Sequence, residues 1–484
     1  MKMQLPESVS YIIGKLEEQG FEAFAVGGCV RDAMLGREPE DWDITTSARP
    51  EEIKRTFRKT IDTGIQHGTV TVMVDHVGYE VTTYRIDGEY EDGRHPKEVS
   101  FTTNLKMDLE RRDFTINAMA YNDRVGLVDE FDGIGDLQRG VIRCVGDAGQ
   151  RFDEDALRML RAVRFCGQLG FEIEENTRRA IVERAVHLKK ISAERIRVEL
   201  TKLLVSKEAD RLRDAYETGM TAVFLPEFDV MMTCAQKNRH HIYTVGEHTL
   251  QSIGWLNRFF QRESLQQCGR ISDAAKQWIE KTCGTLSKKQ HIMLATAMLF
   301  HDIAKPSTME IDDSGVGHFY GHPQKGAQMT KDIMKNLTFD NETIDVVKRL
   351  VTWHDYRIEV SMKAVRKAAS KIGSDIMPMT FLVQYADVLA QNPMTFSEKL
   401  ERLDEVVVLY EEIVARKQAL AIKDLAVNGK DLIQAGVKPG PAMGDILEAL
   451  LEMVLEEPEK NEKDILLQIV QVLSEEKKSS NIRD

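Results

Sequence analysis

Val26-Gly27-Gly28-Cys29-Val30-Arg31-Asp32, followed by Asp41-Trp42-Asp43, is the stretch from which this chain is best understood. It reads as a strand end, a glycine turn, a helix start bearing an arginine and an acid, and then two carboxylates at i and i+2. On a strand, i and i+2 share a face, so Asp41 and Asp43 would sit side by side. Such a pair repels itself unless a cation lies between the two charges. Two hard oxygen ligands beside a phosphate-sized glycine turn suit Mg²⁺ carrying a nucleoside triphosphate. That combination implies phosphoryl or nucleotidyl transfer; the plainer alternative is a solvated acidic turn.

Working outward, 484 residues exceed one ordinary core and imply about three domains. With 42% hydrophobic and 30% charged residues, the composition is that of a soluble globular protein. No apolar run of ~18 residues is present, which excludes a helical membrane span. The N-terminal segment lacks the basic start and apolar stretch of a signal peptide. Cys29, Cys144, Cys166, Cys234, Cys268 and Cys283 are scattered without a CxxC pair, and read as reduced, buried thiols of a cytoplasmic protein. A net charge of −13 argues against coating nucleic acid by bulk charge, yet arginines recur at 151, 158, 161, 164, 178, 179, 184, 195, 197, 211 and 213 as a local basic patch.

Residues 1–145 mix helix and strand signals. Residues 70–74 and 79–83 alternate β-branched side chains around His76-Val77-Gly78, which predicts a hairpin. Asp62-Thr63-Gly64 and Gln66-His67-Gly68-Thr69 read as turns, and residues 87–96 as a mobile loop. From about residue 150 strands largely vanish. Helices are predicted over 153–169, 174–185 and 192–204, with Ser192 at a helix start. Residues 240–395 are helical and histidine-rich. Residues 396–484 are amphipathic helices broken at Asn428-Gly429 and Lys438-Pro439-Gly440-Pro441, with a frayed end over 475–484.

Three further segments bear on the opening pair. Arg111-Arg112-Asp113-Phe114-Thr115-Ile116-Asn117-Ala118 places two arginines ahead of an apolar helix. Phe131-Asp132-Gly133-Ile134-Gly135-Asp136 is a tight acidic turn and a plausible hinge. Residues 154–165, EDALRMLRAVRF, read as one helix with Asp155, Arg158, Arg161 and Arg164 along a ridge. Each alone has an ordinary reading as a solvated cap, a turn or a salt-bridged surface helix. Together, in this order across residues 26–165, they resemble the class II tRNA nucleotidyltransferases, the bacterial-type CCA-adding enzymes and their poly(A) polymerase relatives.

That resemblance implies roles. Asp41 and Asp43 would be catalytic, holding Mg²⁺ that activates a primer 3′-hydroxyl and stabilises leaving pyrophosphate, with Glu80 a candidate third carboxylate. Gly28 would let backbone N–H groups approach phosphates. Arg31, Arg112, Arg161 and Arg164 would contact triphosphate and ribose. Asp155 and Arg158 would read the base, accepting from an amino group and donating to a ring nitrogen. Cytosine and adenine share that edge, whereas uracil and guanine reverse it and leave buried charges unpaired. CTP and ATP are thus selected without a nucleic-acid template. A loop over residues 84–96 resembles one carried by CCA- and A-adding members and lacking in C-only members.

A second constellation lies at His248, His301-Asp302, His322, His354 and Asp387. Nitrogen and carboxylate ligands drawn from separate helices suit a divalent transition metal, and bridging carboxylates suit a two-metal hydrolytic site. The segments EHTL, FHDIAKP, GHPQKGA, WHD and QYADVLAQN resemble an HD-type phosphohydrolase. The resemblance implies His248, His301, Asp302 and Asp387 as metal ligands, His322 and His354 as ligands of a possible second metal, and a role in repairing RNA 3′ ends. The tail segment from Ala426 to Pro441 resembles one that contacts the tRNA body.

The expected fold class is α+β: a small mixed α/β nucleotidyltransferase head (1–145), then an all-helical neck (146–235), HD region (236–395) and tRNA-binding tail (396–484). The expected partners are tRNA, through its acceptor arm and body, with CTP and ATP, and no membrane; the sequence leaves the oligomeric state open. Two competing readings in the same class are an A-adding enzyme and a poly(A) polymerase. One from another class is an HD hydrolase using the head as an RNA-binding module.

Overall fold

The computed structural model describes residues 3–88, 99–395 and 397–480, which fall into two compact units, Met1–Asp229 and Val230–Asp484. The first unit is built on a seven-stranded mixed sheet. Its strands are β1 (Ala23–Val26), β2 (Ile44–Thr46), β3 (Thr60–Gly64), β4 (Thr69–Val74), β5 (Val77–Thr83), β8 (Met119–Asn122) and β9 (Gly126–Asp129), in the order β3-β4-β5-β2-β1-β8-β9. Within this sheet, among the described residues, β2 and β5 are the pair that runs parallel. β6 (Arg85–Asp87) and β7 (Val99–Phe101) form a separate antiparallel ribbon. The loop expected over 84–96 falls largely outside the described residues.

The central strands β1, β2 and β8 are buried at every position, as strands covered on both faces must be. β4 instead buries Val70 and Val72 in alternation. The helix Glu7–Glu18 covers the sheet with Val9, Ile12, Ile13 and Leu16, an i, i+3, i+4, i+7 stripe. The predicted hairpin is present, but its turn is Asp75-His76, both at positive φ, and Val77 already belongs to β5. Asp and His tolerate the left-handed region better than Val, which moves the turn upstream. Asp62 to Gly64, read as a turn, lies in edge strand β3, where the pairing register shifts between Ile61 and Gly64.

Two other expectations are corrected. Residues 114–118 do not open an apolar helix; after a 3₁₀ turn at Thr115–Asn117 the chain enters β8, a central strand. Residues 153–169 are not one helix. Ala148–Glu154 ends at Asp155, whose φ of −146° and ψ of 101° are extended, and Leu157–Leu169 begins anew. The FDGIGD segment is pinned, with buried Asp136 accepting from Thr115, Arg139 and Arg143.

Among its described residues the second unit is helical, with one two-stranded ribbon, Glu310–Ile311 with Gly317–His318. Helix Lys288–Phe300 is buried continuously from Met293 to Phe300, the pattern of a helix at the centre of a bundle, and it delivers His301-Asp302 at its end. Helix Lys463–Ser480 extends through residues read as frayed, while 481–484 lie outside the described residues. No helix among the described residues is long and apolar enough to cross a membrane. All six cysteines are unpaired; five are buried and Cys234 is half-buried.

Candidate functional site

In the first unit, β1 runs into Gly27, at φ 83°, and helix Gly28–Met34 follows. The positive φ falls on Gly27, not on Gly28, where the sequence placed the special glycine. A Cβ at Gly27 would stand 3.1 Å from Nη1 of Arg112. Asp41 and Asp43 precede β2 instead of lying within it, and the Asp43 carbonyl accepts from Val26 N at 3.0 Å, tying the acidic segment to the glycine turn. The Asp43 side chain keeps an open face to solvent. Even so, the protein packed behind it pushes its carboxyl above the usual range; Arg112 opposes the shift, and Glu80 and Asp41 add to it. Glu80 pairs with Thr71 across the β4–β5 hairpin. Nε of Arg112 is buried and makes no hydrogen bond among the described residues, although its Nη2 lies 3.4 Å from buried Asp108.

A network joins this turn to the helix carrying the arginine ridge. Arg31 donates to Asp32 twice, at 2.9 Å, and to Asn117 Oδ1 at 2.6 Å. Asn117 donates to Asp113 Oδ1 at 3.1 Å, and Arg161 donates to Asp113 Oδ2 at 2.6 and 2.9 Å. Burial favours the neutral acid, but Arg161 and Asn117 outweigh it, and Asp113 is held well below the usual carboxylate range. Arg164 donates to Glu199 at 2.5 Å. The guanidiniums of Arg164, Arg31 and Arg161 lie 3.9, 4.9 and 5.5 Å from the centre of the Phe165 ring.

Asp155 and Arg158 do not share a helical ridge. Asp155 accepts from Leu157 N at 3.1 Å and is gripped by Arg195 at 2.7 and 3.2 Å. Arg158 donates to Glu154 at 2.7 Å and to the Arg111 carbonyl at 3.2 Å. Nor do the eleven arginines form a free basic patch: each has a carboxylate within 4.0 Å. Sequence reasoning missed Asp113 and Arg195 as organisers of this region. Both were visible as residues, but their partners are 48 and 40 positions away.

In the second unit the six predicted residues come together. Among the described residues, two sets have three ligand atoms within 4.8 Å of one another, His248 with His301 and Asp302, and Asp302 with His322 and His354. Asp302 joins them. Its Oδ2 lies 3.3 Å from His301 Nε2 and 3.6 Å from His248 Nε2, and its Oδ1 lies 3.5 and 3.6 Å from Nε2 of His322 and His354. Asp387 Oδ1 is 2.8 Å from His248 Nε2. Both Asp302 oxygens are buried without a well-aligned hydrogen-bond donor, although Lys305 Nζ stands 2.7 Å away. Burial raises the Asp302 carboxyl, but His301 and Lys305 pull harder and hold it well below the usual range.

The imidazoles are pre-set. Nδ1 of His301, His322 and His354 faces the carbonyls of Met298, Phe319 and Val351 at 2.7–2.8 Å, which turns each Nε2 inward toward Asp302 and its neighbours. Burial pushes His322 down to about 4, the neutral state a ligand needs. Lys305, quoted in the sequence motif without a role, belongs to this site.

In the tail, Asn428 caps helix Gly429–Gln434 by accepting from the backbone N–H groups of Lys430 and Asp431. Those two donors are therefore internally satisfied.

The family description "Poly A polymerase head domain" matches residues 23–143, "Probable RNA and SrmB- binding site of polymerase A" matches 170–232, and "tRNA nucleotidyltransferase domain 2 putative" matches 324–470. A CCA-adding enzyme of Lactobacillus delbrueckii is 56% identical over 43% of this chain and 53% of its own length, so that match spans about half of the relative. One of Limosilactobacillus fermentum is 35% identical over 94% of both chains. The crystal structure of the Bacillus stearothermophilus CCA-adding enzyme in complex with CTP is 29% identical, with a TM-score of 0.69 over 99% of this chain and all of that one. On this full-length similarity, and on a head whose glycine turn, acidic segment and arginine network lie together, the chain belongs to the CCA-adding enzymes, a family of nucleotidyltransferases.

Proposed function

We propose that this chain adds CCA to the 3′ end of tRNA from CTP and ATP without a nucleic-acid template. The primer 3′ oxygen attacks the α-phosphorus of the incoming nucleotide, and the bond to pyrophosphate breaks. The observation that carries this reading is the position of Arg112, packed against Gly27, acting on Asp43, and keeping a buried, unbonded Nε for an anionic ligand. The nucleotidyltransferase family implies a divalent metal. The donor set fits one: Glu80 and Asp41 add to the cost of ionising Asp43, which a cation relieves. When bound, Mg²⁺ would lower the charge barrier at the reacting phosphate.

In this reading Asp41 and Asp43 hold the metal. Gly28, with Gly27, gives the phosphates access to backbone donors. Arg31, Arg112, Arg161 and Arg164 shape and charge the nucleotide pocket, and Asp155 and Arg158 read the base while Arg195 and Glu154 hold them in position. The work divides among a head (1–145), neck (146–235), HD region (236–395) and tRNA-binding tail (396–484), and the protein acts in the cytoplasm.

The test is incubation with tRNA ending before CCA. Two cytidines and one adenosine should be incorporated, and Asp41→Ala should reduce the rate more than about a hundredfold. Adenosine addition only to tRNA already ending in CC would replace this reading with the A-adding one.

A second activity, metal-dependent phosphoester hydrolysis in the second unit, is favoured by the buried histidine–aspartate cluster. Nε2 atoms of His248 and His301, 3.4 Å apart, suit ligands ~2.1 Å from a shared transition metal. His322 and His354 offer a second position. In hydrolysis a water oxygen joins phosphorus and the ester oxygen leaves as an alcohol; such a reaction would trim or repair RNA 3′ ends. Metal analysis of purified protein and of Asp302→Ala tests it: wild type should retain metal and the variant should lose it.

A further inference from the structure

We propose that Arg357 and Lys399 form a phosphate clamp facing the histidine–aspartate cluster, and that the cavity they line takes a nucleotide-sized phosphate ester rather than a free phosphate. This rests on the hydrolase reading of the second unit.

Two cavities meet at the cluster. One, of about 270 Å³, is lined by Asp302, His322, His354 and Asp387. The other, of about 800 Å³, is also lined by His354 and Asp387. Arg357 and Lys399 line both. The larger volume lies within the range of pockets that enclose small organic ligands and is far more than a phosphate needs.

Its lining combines apolar surface suited to a base or sugar, from Tyr356, Ile358, Val388 and Leu403, with the cations Arg357 and Lys399 and the acids Asp355, Asp387 and Glu398. Among the described residues the Arg357 side chain makes no hydrogen bond and no ion pair. Its neighbours are nevertheless fixed. Gln384 donates to the Tyr356 carbonyl at 3.1 Å, and Arg402 donates to the Ile358 carbonyl through Nε and Nη2 at 3.0 and 2.9 Å. The main chain on either side of Arg357 is thus held, and its exposed guanidinium remains available to an anion.

Lys399 completes the pair. Its Nζ donates to Gln391 Oε1 at 2.5 Å, and Gln391 donates in turn to Asp387 at 3.3 Å, which links the clamp to the cluster. Burial pushes the Lys399 ammonium down; Arg357 and Lys305 push the same way, while Asp387 and Asp355 oppose. A phosphate dianion beside Arg357 and Lys399 would offset the crowding of positive charge at Lys399.

The test uses full-length, metal-loaded protein and adenosine 3′-monophosphate. Arg357→Ala and Lys399→Ala should each raise KM at least tenfold, hold kcat within about threefold and leave metal content unchanged, and Arg357→Lys should recover part of the loss. Adenosine 3′-monophosphate should also bind at least tenfold tighter than inorganic phosphate. An active wild type whose KM is unmoved by both alanine variants would overturn the clamp. A wild type that holds no metal and hydrolyses nothing would end the hydrolase reading. In that case equilibrium binding of the nucleotide decides the clamp alone, since loss of binding in Arg357→Ala supports it and absence of binding to wild type overturns it.

Discussion

Asp113 shows how much one side chain can organise. It anchors Arg161 from one oxygen and Asn117, hence Arg31, from the other. Its carboxyl is depressed in the folded state, against ~3.9 when unfolded. It therefore contributes stability that is fully present above about pH 4 and is lost as pH falls through the lower folded value. Asp113→Asn should cost about 2 kcal/mol at pH 7, since Arg161 keeps a third of its side chain exposed to water. The variant should also lose less of its stability than wild type between pH 4 and 2, measured by thermal melts across pH. Gly27→Ala should cost about 2 kcal/mol in the same assay, because the backbone there lies where L residues are strained and the new methyl meets Arg112. The sequence pointed to this turn but not to which glycine bends, because φ depends on how β1 meets the following helix.

At the scale of elements, the break at Asp155 matters most. Residues 153–169 carry helical periodicity, and a helix was the natural expectation. The extended backbone at Asp155 instead lets its side chain bond to Leu157 N and reach Arg195. This is local competition by an Asp side chain, combined with a partner on another helix. Periodicity detects neither. Arg195→Ala should loosen Asp155 and raise misincorporation of UTP and GTP relative to CTP and ATP by about tenfold, the value of one hydrogen bond to a charged group; nucleotide competition on one tRNA substrate reads this directly. The β4–β5 hairpin, by contrast, was legible because alternation and burial agree along it, and only its turn slid by a residue or two.

At the scale of the molecule, the α+β architecture was readable because strand signals cease near residue 150. The neutralisation of the arginines was not, since pairing belongs to tertiary structure. On the proposed reading the two units carry different chemistries, and metal should affect them differently. A ligand at a hundred times its Kd stabilises its unit by about 2.7 kcal/mol. Divalent transition metal added back to chelator-treated protein should therefore raise the melting of the second unit, on the order of 5–10 °C. Calorimetry of wild type and Asp302→Ala checks this, and the shift should vanish in the variant.

The histidines His301, His322 and His354 each face a main-chain carbonyl three residues earlier, and those carbonyls belong to Met298, Phe319 and Val351. A carbonyl is present whatever side chain occupies its position. Substitutions at 298, 319 and 351 can therefore accumulate without changing the ring tautomers, provided the backbone path holds. The carbonyls that orient these rings do not depend on side-chain identity, so point mutations at 298, 319 and 351 reach the ring orientations only by disturbing the fold.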